Sequence, residues 1–413
     1  MVGMAQPLTD GFPPIRLFLF GSDNKFKTEA VKNRLDFTKR SLAKEGIRIL
    51  TYSADGDSRE MKLMRDQLRL GTQLHDATCP LNTDRLRKKW PWFVCDYLRE
   101  NIPVQDTVHL GAKFRTRLLK LQKPMPFGNT VANQAHLINL TRQLTKDKHL
   151  LKEGDLLPQD KMNYDAVFRL CDPQIGLLLE TEIPDSAGTC FFLTLMRNLT
   201  SSYLDKTLDP LQRVYRLWFS VFSLRYWRYW LSCDSVYPLA KHFITLNAYL
   251  CAEINAHALI MLITTLRDDG TPEFFKPWLY GSQQCETFFK SWSHRALSSN
   301  QQYCNDGLMR DQQWDNGPMV KDQHLDNCVL TMDQQRNNSA LTKNPKWDNL
   351  GLMTDQHWEE SLTLMGQQLH CFALMTNQHL ENCALMTDQQ LHNFVVGKKL
   401  QHNCVEMKKF LKK

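Results

Sequence analysis

The sequence predicts an α/β unit with an incomplete sheet, interrupted by a large all-α insertion and followed by a repetitive C-terminal tail. Three observations predict it. Strand-like and helix-like stretches alternate from about Pro13 to Lys123, the mark of helices packed on a sheet. Strand signal then all but vanishes from about Pro124 to Thr271, where helical patterns follow one another. From about Asn300 the chain repeats itself every eleven residues.

In the first region, residues 1–123, Ile15–Phe20 alternates as a strand and ends at Gly21-Ser22-Asp23. Val31, Leu35, Thr38 and Leu42 give helical spacing over Phe26 to Lys44, closed by Gly46. Ile47–Tyr52 is a second strand, with Asp55 just past its end. Ser58 is expected to cap a helix through Leu70. Ile102-Pro-Val-Gln105 is a short strand delivering Asp106, and His109 to Leu119 reads as the next helix.

The second region, 124–271, carries helical patterns at Thr130–Leu144, Lys161–Leu179, Thr189–Tyr203, Asp209–Ser232 and Leu239–Leu266. Arg213, Arg216, Arg225 and Arg228 interleave there with Trp218, Tyr226, Trp227, Tyr229 and Trp230. Such a run can grip DNA by phosphate contact and stacking. The helical spacing of Trp218, Phe222 and Tyr226 points instead to core. One further helix of the α/β unit is expected over 272–299. In the tail, 300–413, Asp-Gln or a variant recurs at Asp311, Asp322, Asp333, Asn344, Asp355, Gly366, Asn377 and Asp388. An eleven-residue period fits a slightly right-handed helix, or an array stacking on itself. The apolar places fall on no single stripe and Asn, Asp and Gly recur, which favours a DNA repeat read in frame with no selected fold.

Composition bounds the function. The 413 residues carry 42% apolar residues and a net charge of +7, a globular balance that fits a nucleic-acid partner among others. The 12 cysteines form no Cys-x-x-Cys pair, which argues for free thiols in a reducing compartment and against a structural zinc site. Met1 to Pro14 lacks a basic stretch followed by an apolar one, so no signal peptide is expected. The longest apolar run, Ala256 to Leu266, is too short to span a bilayer. The expectation is a soluble intracellular protein.

The chemistry rests on separated carboxylates. Divalent ions held by oxygen ligands stabilise the attacking and leaving oxygens of a phosphodiester. Asp55, in Ser53-Ala-Asp-Gly-Asp-Ser-Arg59, follows a strand; a plain Asp-Gly turn, with Asp57 capping the following helix, is the competing reading. Asp106 also follows a strand, and its helix carries Lys113, Arg115, Arg117, Lys120 and Lys123, which could contact DNA phosphates or simply face solvent. Glu286, in Tyr280-Gly-Ser-Gln-Gln-Cys-Glu-Thr-Phe-Phe289, sits one turn into a helix.

These three segments, in this order, resemble the P-element transposase group, including its THAP-domain relatives, over roughly residues 13–297. In that group an Asp follows the fourth strand, and an Asp-x-x-His-Leu-x-x-Lys-x-x-Arg-Asn segment follows the fifth. A helical insert comes next, and a Ser/Thr-Gln-x-x-x-Glu-x-Phe-Phe-x-x-x-Arg helix closes the site. Here these are Asp55, Asp106-Thr-Val-His-Leu-Gly-Ala-Lys-Phe-Arg-Thr-Arg117 and Ser282-Gln-Gln-Cys-Glu-Thr-Phe-Phe-Lys-Ser-Trp-Ser-His-Arg295.

The resemblance implies an RNase H-like fold and an ancestral DDE-type DNA strand cleavage and transfer. It makes Asp55 and Glu286 the catalytic ligands of Mg²⁺ or Mn²⁺, with Asp106 and His109 organising the active-site edge. DNA is the implied partner, self-association into a homo-oligomer is a further one, no membrane partner is implied, and the location is nuclear. The family's first catalytic Asp lies on its first strand. Asp23 matches the end of the third, so that strand would precede Met1 and the activity is expected to be lost. The family's guanine-nucleotide binding is not carried over, because 124–271 holds no Walker-type loop. The alternative is a domesticated DNA- or protein-binding module without catalysis.

Overall fold

The computed structural model describes residues 2–9, 11–19, 27–70, 94–120, 123–160 and 163–288. The repeats of 300–413, the strand end expected at Asp23 and the motif's Arg295 lie outside the described residues.

The α/β part begins with β1 (Val2–Ala5) and β2 (Ile15–Leu19), paired antiparallel with a register shift between Gly3 and Met4. Helix α1 (Thr28–Lys44) follows, then β3 (Thr51–Ala54), α2 (Ser58–Leu68), β4 (Ile102–Gln105) and α3 (Thr107–Leu118). β3 and β4 pair in parallel, Thr51 opposite Ile102 and Ala54 opposite Gln105. The second strand thus starts at Thr51 rather than Ile47, but still ends directly before Asp55. Two helix starts also shift. Asp57, not Ser58, is the N-cap of α2, accepting from Arg59 N–H. α3 opens at Thr107 because Asp106 itself is the N-cap.

The helical part opens with an element that the sequence pattern hides. β5 (Met125–Phe127) and β6 (Thr130–Ala132) form a hairpin of three-residue strands where a helix start was expected, turning at Gly128 with φ of +62°. Helices α4 (Gln134–Gln143), α5 (Lys146–His149), α6 (Tyr164–Leu170), α7 (Pro173–Glu182) and α8 (Ala187–Leu204) follow. They are succeeded by α9 (Pro210–Cys233), α10 (Leu239–His242) and α11 (Leu246–Asp268). The stretch expected as one helix over 161–179 is two, because Asp172 caps a new helix with Pro173 at its first turn. Trp218 and Tyr226 of α9 are buried, as their spacing predicts, and Arg213 is buried with them.

The helical part is not a separate body. One continuous apolar core runs from Val104 and Phe114 of the α/β part to Leu217 of α9 and Leu259 of α11. α11 is long and apolar enough to cross a membrane by length and composition, yet 89% of its most apolar window is buried inside the protein. It is the core helix of this fold, and its polar residues sit in it by pairing. The Asn255 side-chain amide accepts from Gln105 N–H at 2.7 Å and donates to Gln105 C=O at 2.9 Å. That peptide faces away from β3, so Asn255 takes the place of a neighbouring strand. Glu253 accepts a two-pronged bond from Arg225 of α9 at 2.7 Å each and another from Tyr249 at 2.7 Å.

His257, one turn along α11, is fully buried against Trp218 and receives the Val94 N–H on Nε2 at 3.1 Å. Burial depresses its pKa to about 4, against the pull of Glu253. The unfolded chain takes up this proton at about pH 6.5, before the folded one does. Stability is therefore expected to fall as pH drops from about 6.5 toward 4, by up to about 3 kcal/mol. Urea denaturation across that range should show a flatter pH slope in His257→Gln; an equal slope in both proteins would assign the loss to other groups.

Candidate functional site

Parallel pairing of β3 and β4 places the residues after both strands at one sheet edge. Asp55 follows Ala54, and Asp106 follows Gln105, its own N–H bonded to Ala54 C=O at 2.8 Å. Asp55 is exposed and its side chain accepts from Asp57 N–H at 2.9 Å, a local turn. Gly56 takes φ of +87°, and a Cβ there would collide with the Lys113 ammonium. Lys113 donates to Asn247 Oδ1 at 2.7 Å, and the Asn247 amide donates to Gly56 C=O at 3.0 Å. The start of α11 thus holds the loop that carries Asp55.

The third segment follows the helical part. Residues 281–288 turn into a helical run whose first backbone bond is Glu286 N–H to Ser282 C=O. Ser282 donates to Asp106 Oδ2 through both its N–H, at 2.6 Å, and its hydroxyl, at 2.7 Å. His109, at the start of α3, lies between the two carboxylates. Its Nδ1 is 3.5 Å from Asp106 Oδ1 and its Nε2 is 3.4 Å from Glu286 Oε1. The first is an ion-pair contact rather than a hydrogen bond. Donor atoms of Asp106, His109 and Glu286 all fall within 4.8 Å of one another.

The charges are strongly coupled. Burial alone would raise the Asp106 carboxyl, but contact with His109 and the N–H groups of Ser282 and His109 outweigh it and hold it well below the usual carboxylate range. Burial favours neutral His109, yet Asp106, Glu286 and Asp55 together raise its pKa. Glu60, half-buried in the first turn of α2, is pushed up to about 7 by burial and by the charges of Asp55 and Asp57. Burial also raises the Cys285 thiol, and the charges of Glu60, Asp55 and Glu286 add to that.

The structure therefore brings Asp55, Asp106, His109 and Glu286 to one edge. Glu60 joins them with no sequence signal beyond its place one turn after an Asp cap. The basic residues of 113–123 divide. Lys120 and Lys123 are exposed, while Lys113 is engaged beneath the Asp55 loop. Arg115 and Arg117, expected at phosphates, are buried. Arg115 donates to the carbonyls of Gly154, Asp155, Leu157 and Asp160, and Arg117 to those of Lys123, Lys241 and Phe243. Their guanidinium groups are committed to the interior, which corrects the expectation for both.

Asp106 accepts four hydrogen bonds on its two oxygens. The groups with capacity left for an ion are Glu286 and His109 Nε2; Asp55, past the end of the neighbouring strand, lies outside the set whose donor atoms fall within 4.8 Å of one another. Oxygen donors with one imidazole suit a divalent ion of the Mn²⁺ kind. Comparisons of the chain with protein families, with curated proteins and with solved structures find no match.

Proposed function

We propose that this chain is a transposon-derived protein that binds a divalent ion at the Asp55–His109–Glu286 edge and meets DNA there without cutting it. One observation carries the reading. The Asp106 carboxylate, the His109 imidazole and the Glu286 carboxylate bring donor atoms within 4.8 Å of one another, with Asp55 just past the end of the neighbouring parallel strand, in the order that resembles the P-element transposases. A bound ion would polarise a phosphate oxygen at this edge. The chain's own groups set what it can do there. Asp55 and Glu286 offer anionic oxygen, His109 a nitrogen, and Glu60, with its pKa near 7, is in part protonated at neutral pH. Two-ion chemistry needs more anionic ligands than Asp55 and Glu286 supply, so among the described residues the set fits one ion rather than two. The reading as a binding module without catalysis shares the absence of cutting and differs in needing no ion.

Mn²⁺ uptake by the full chain, followed by electron paramagnetic resonance of the free ion, tests this. The wild type should bind Mn²⁺ in the micromolar to millimolar range, and Asp55→Asn and Glu286→Gln should each weaken binding at least about tenfold. Supercoiled plasmid should stay intact in Mn²⁺. A wild-type chain that takes up no Mn²⁺ at millimolar concentration would sink the ion-binding reading. Nicking that vanishes in Asp55→Ala would overturn the absence of cleavage.

A further inference from the structure

Asp106 does something at this edge that neither its position after a strand nor its nearness to His109 accounts for. Its side chain is fully buried, with no exposed area. Oδ1 accepts from Val108 N–H at 2.7 Å and His109 N–H at 3.0 Å, which caps α3. Oδ2 accepts from Ser282 N–H at 2.6 Å and Ser282 Oγ at 2.7 Å. A carboxylate has about four lone-pair sites, and all four face a donor. Gly281 allows the approach, since a Cβ there would stand 3.1 Å from Oδ2. The two ends of this carboxylate therefore hold different parts of the chain. One end fixes the first turn of α3, which carries His109. The other fixes Ser282, whose carbonyl accepts from Glu286 N–H at 3.2 Å and so begins the turn that carries Glu286.

We propose that Asp106 is a positioning residue, a latch that ties the 281–286 segment to α3 and thereby sets Glu286 against His109, and that it is not itself an ion ligand. The proposal rests on the divalent-ion reading for its purpose, but the latch is defined by contacts that need no ion. It closes the chain across 176 residues, after the whole insertion has been passed. The register is fixed by two donors from one residue rather than by side-chain packing alone. Were Asp106 a ligand, an ion would have to displace hydrogen bonds that both carboxylate oxygens already accept from Val108, His109 and Ser282.

Asp106→Asn and Ser282→Ala in the full chain test it, with two readouts. The Asn side chain keeps one oxygen, which can cap α3 as well as Asp does, and turns an NH₂ toward the Ser282 donors. Ser282→Ala leaves Asp106 intact and removes one of the two Ser282 bonds, so it reports even if Asp106→Asn does not fold. By hydrogen exchange without metal, amides of 281–288 should exchange at least about tenfold faster in either variant, while those within α3 keep their protection. By Mn²⁺ titration, affinity should fall about 10–100-fold in both, the range seen when a ligand loses its supporting partner.

Unchanged exchange over 281–288 in both variants would overturn the latch. So would Ser282→Ala binding Mn²⁺ as tightly as wild type or tighter while Asp106→Asn binds none, since that pattern makes Asp106 the ligand. If the wild type binds no Mn²⁺ but exchange rises in both variants, the latch stands and the ion-binding reading falls.

Discussion

Replacing Arg115 by Met is expected to lower the unfolding free energy by about 3–5 kcal/mol, and the melting temperature by about 10 °C. The Arg115 side chain lies fully inside, and residues 154–160 fold around its guanidinium. Nε donates to Asp155 C=O at 3.0 Å and one terminal nitrogen to Asp160 C=O at 2.6 Å. The other terminal nitrogen serves Gly154 and Leu157 at 3.1 and 3.0 Å. Methionine fills similar volume but takes the guanidinium donors from four carbonyls, of which Gly154 C=O keeps the Leu157 N–H at 3.3 Å. Lysine keeps the charge on a single point and cannot span the fork, so Arg115→Lys should fall between the two. The segment has a second anchor, the Asp155 carboxylate bonded to Arg169 at 2.6 and 2.7 Å, so loss of Arg115 loosens it without releasing it entirely. Urea denaturation followed by tryptophan fluorescence measures the change. A variant as stable as wild type but weaker on DNA would restore Arg115 to the phosphate-contacting surface.

The second large effect concerns the ion pair between α9 and α11. Glu253→Gln keeps the shape but removes the charge facing Arg225, whose side chain is mostly shielded from water. Burial opposes ionised Glu253, and the Arg225 charge and bonds with the Tyr249 hydroxyl outweigh it, holding its pKa below the usual value. Removing one partner of a buried pair leaves the other uncompensated, at a cost of about 3–5 kcal/mol; the partial exposure of Arg225 puts the expected loss at about 3 kcal/mol. Replacing both partners by apolar residues of similar size, Arg225→Met with Glu253→Leu, should recover most of that loss. Denaturant melts of the single and double variants give the comparison directly. A double variant no more stable than Glu253→Gln would mean that the pair does more than offset its own desolvation.

The parts of this fold that the sequence declares are those whose signal is local. α1 and α2 follow from apolar spacing and nearby caps, and β4 from four residues bounded by a carboxylate. What escapes is non-local or too short. The β5–β6 strands have three residues each, below the length at which alternation can be counted. The break between α6 and α7 does have a local sign, Asp172-Pro173, that helical spacing on either side overrides.

Burial of Arg115 and Arg117 has no sign in the sequence. A basic residue every second or third place looks the same whether it meets phosphate or the carbonyls of a loop far along the chain. The candidate site divides in the same way. Asp55, Asp106, His109 and Glu286 stand out as ionisable residues at element ends. The second role of Asp106, in holding Ser282, depends on a contact that only the folded chain creates.

The Asn255 amide on Gln105 has a consequence for how the chain is made. β4 is synthesised before α11, and the group that covers its open peptide lies 150 residues later. At about 5–20 residues per second, a ribosome needs roughly 8–30 s to supply it. During that interval the nascent α/β part carries an uncovered strand edge beside apolar Val104, the kind of surface that recruits other chains or a chaperone.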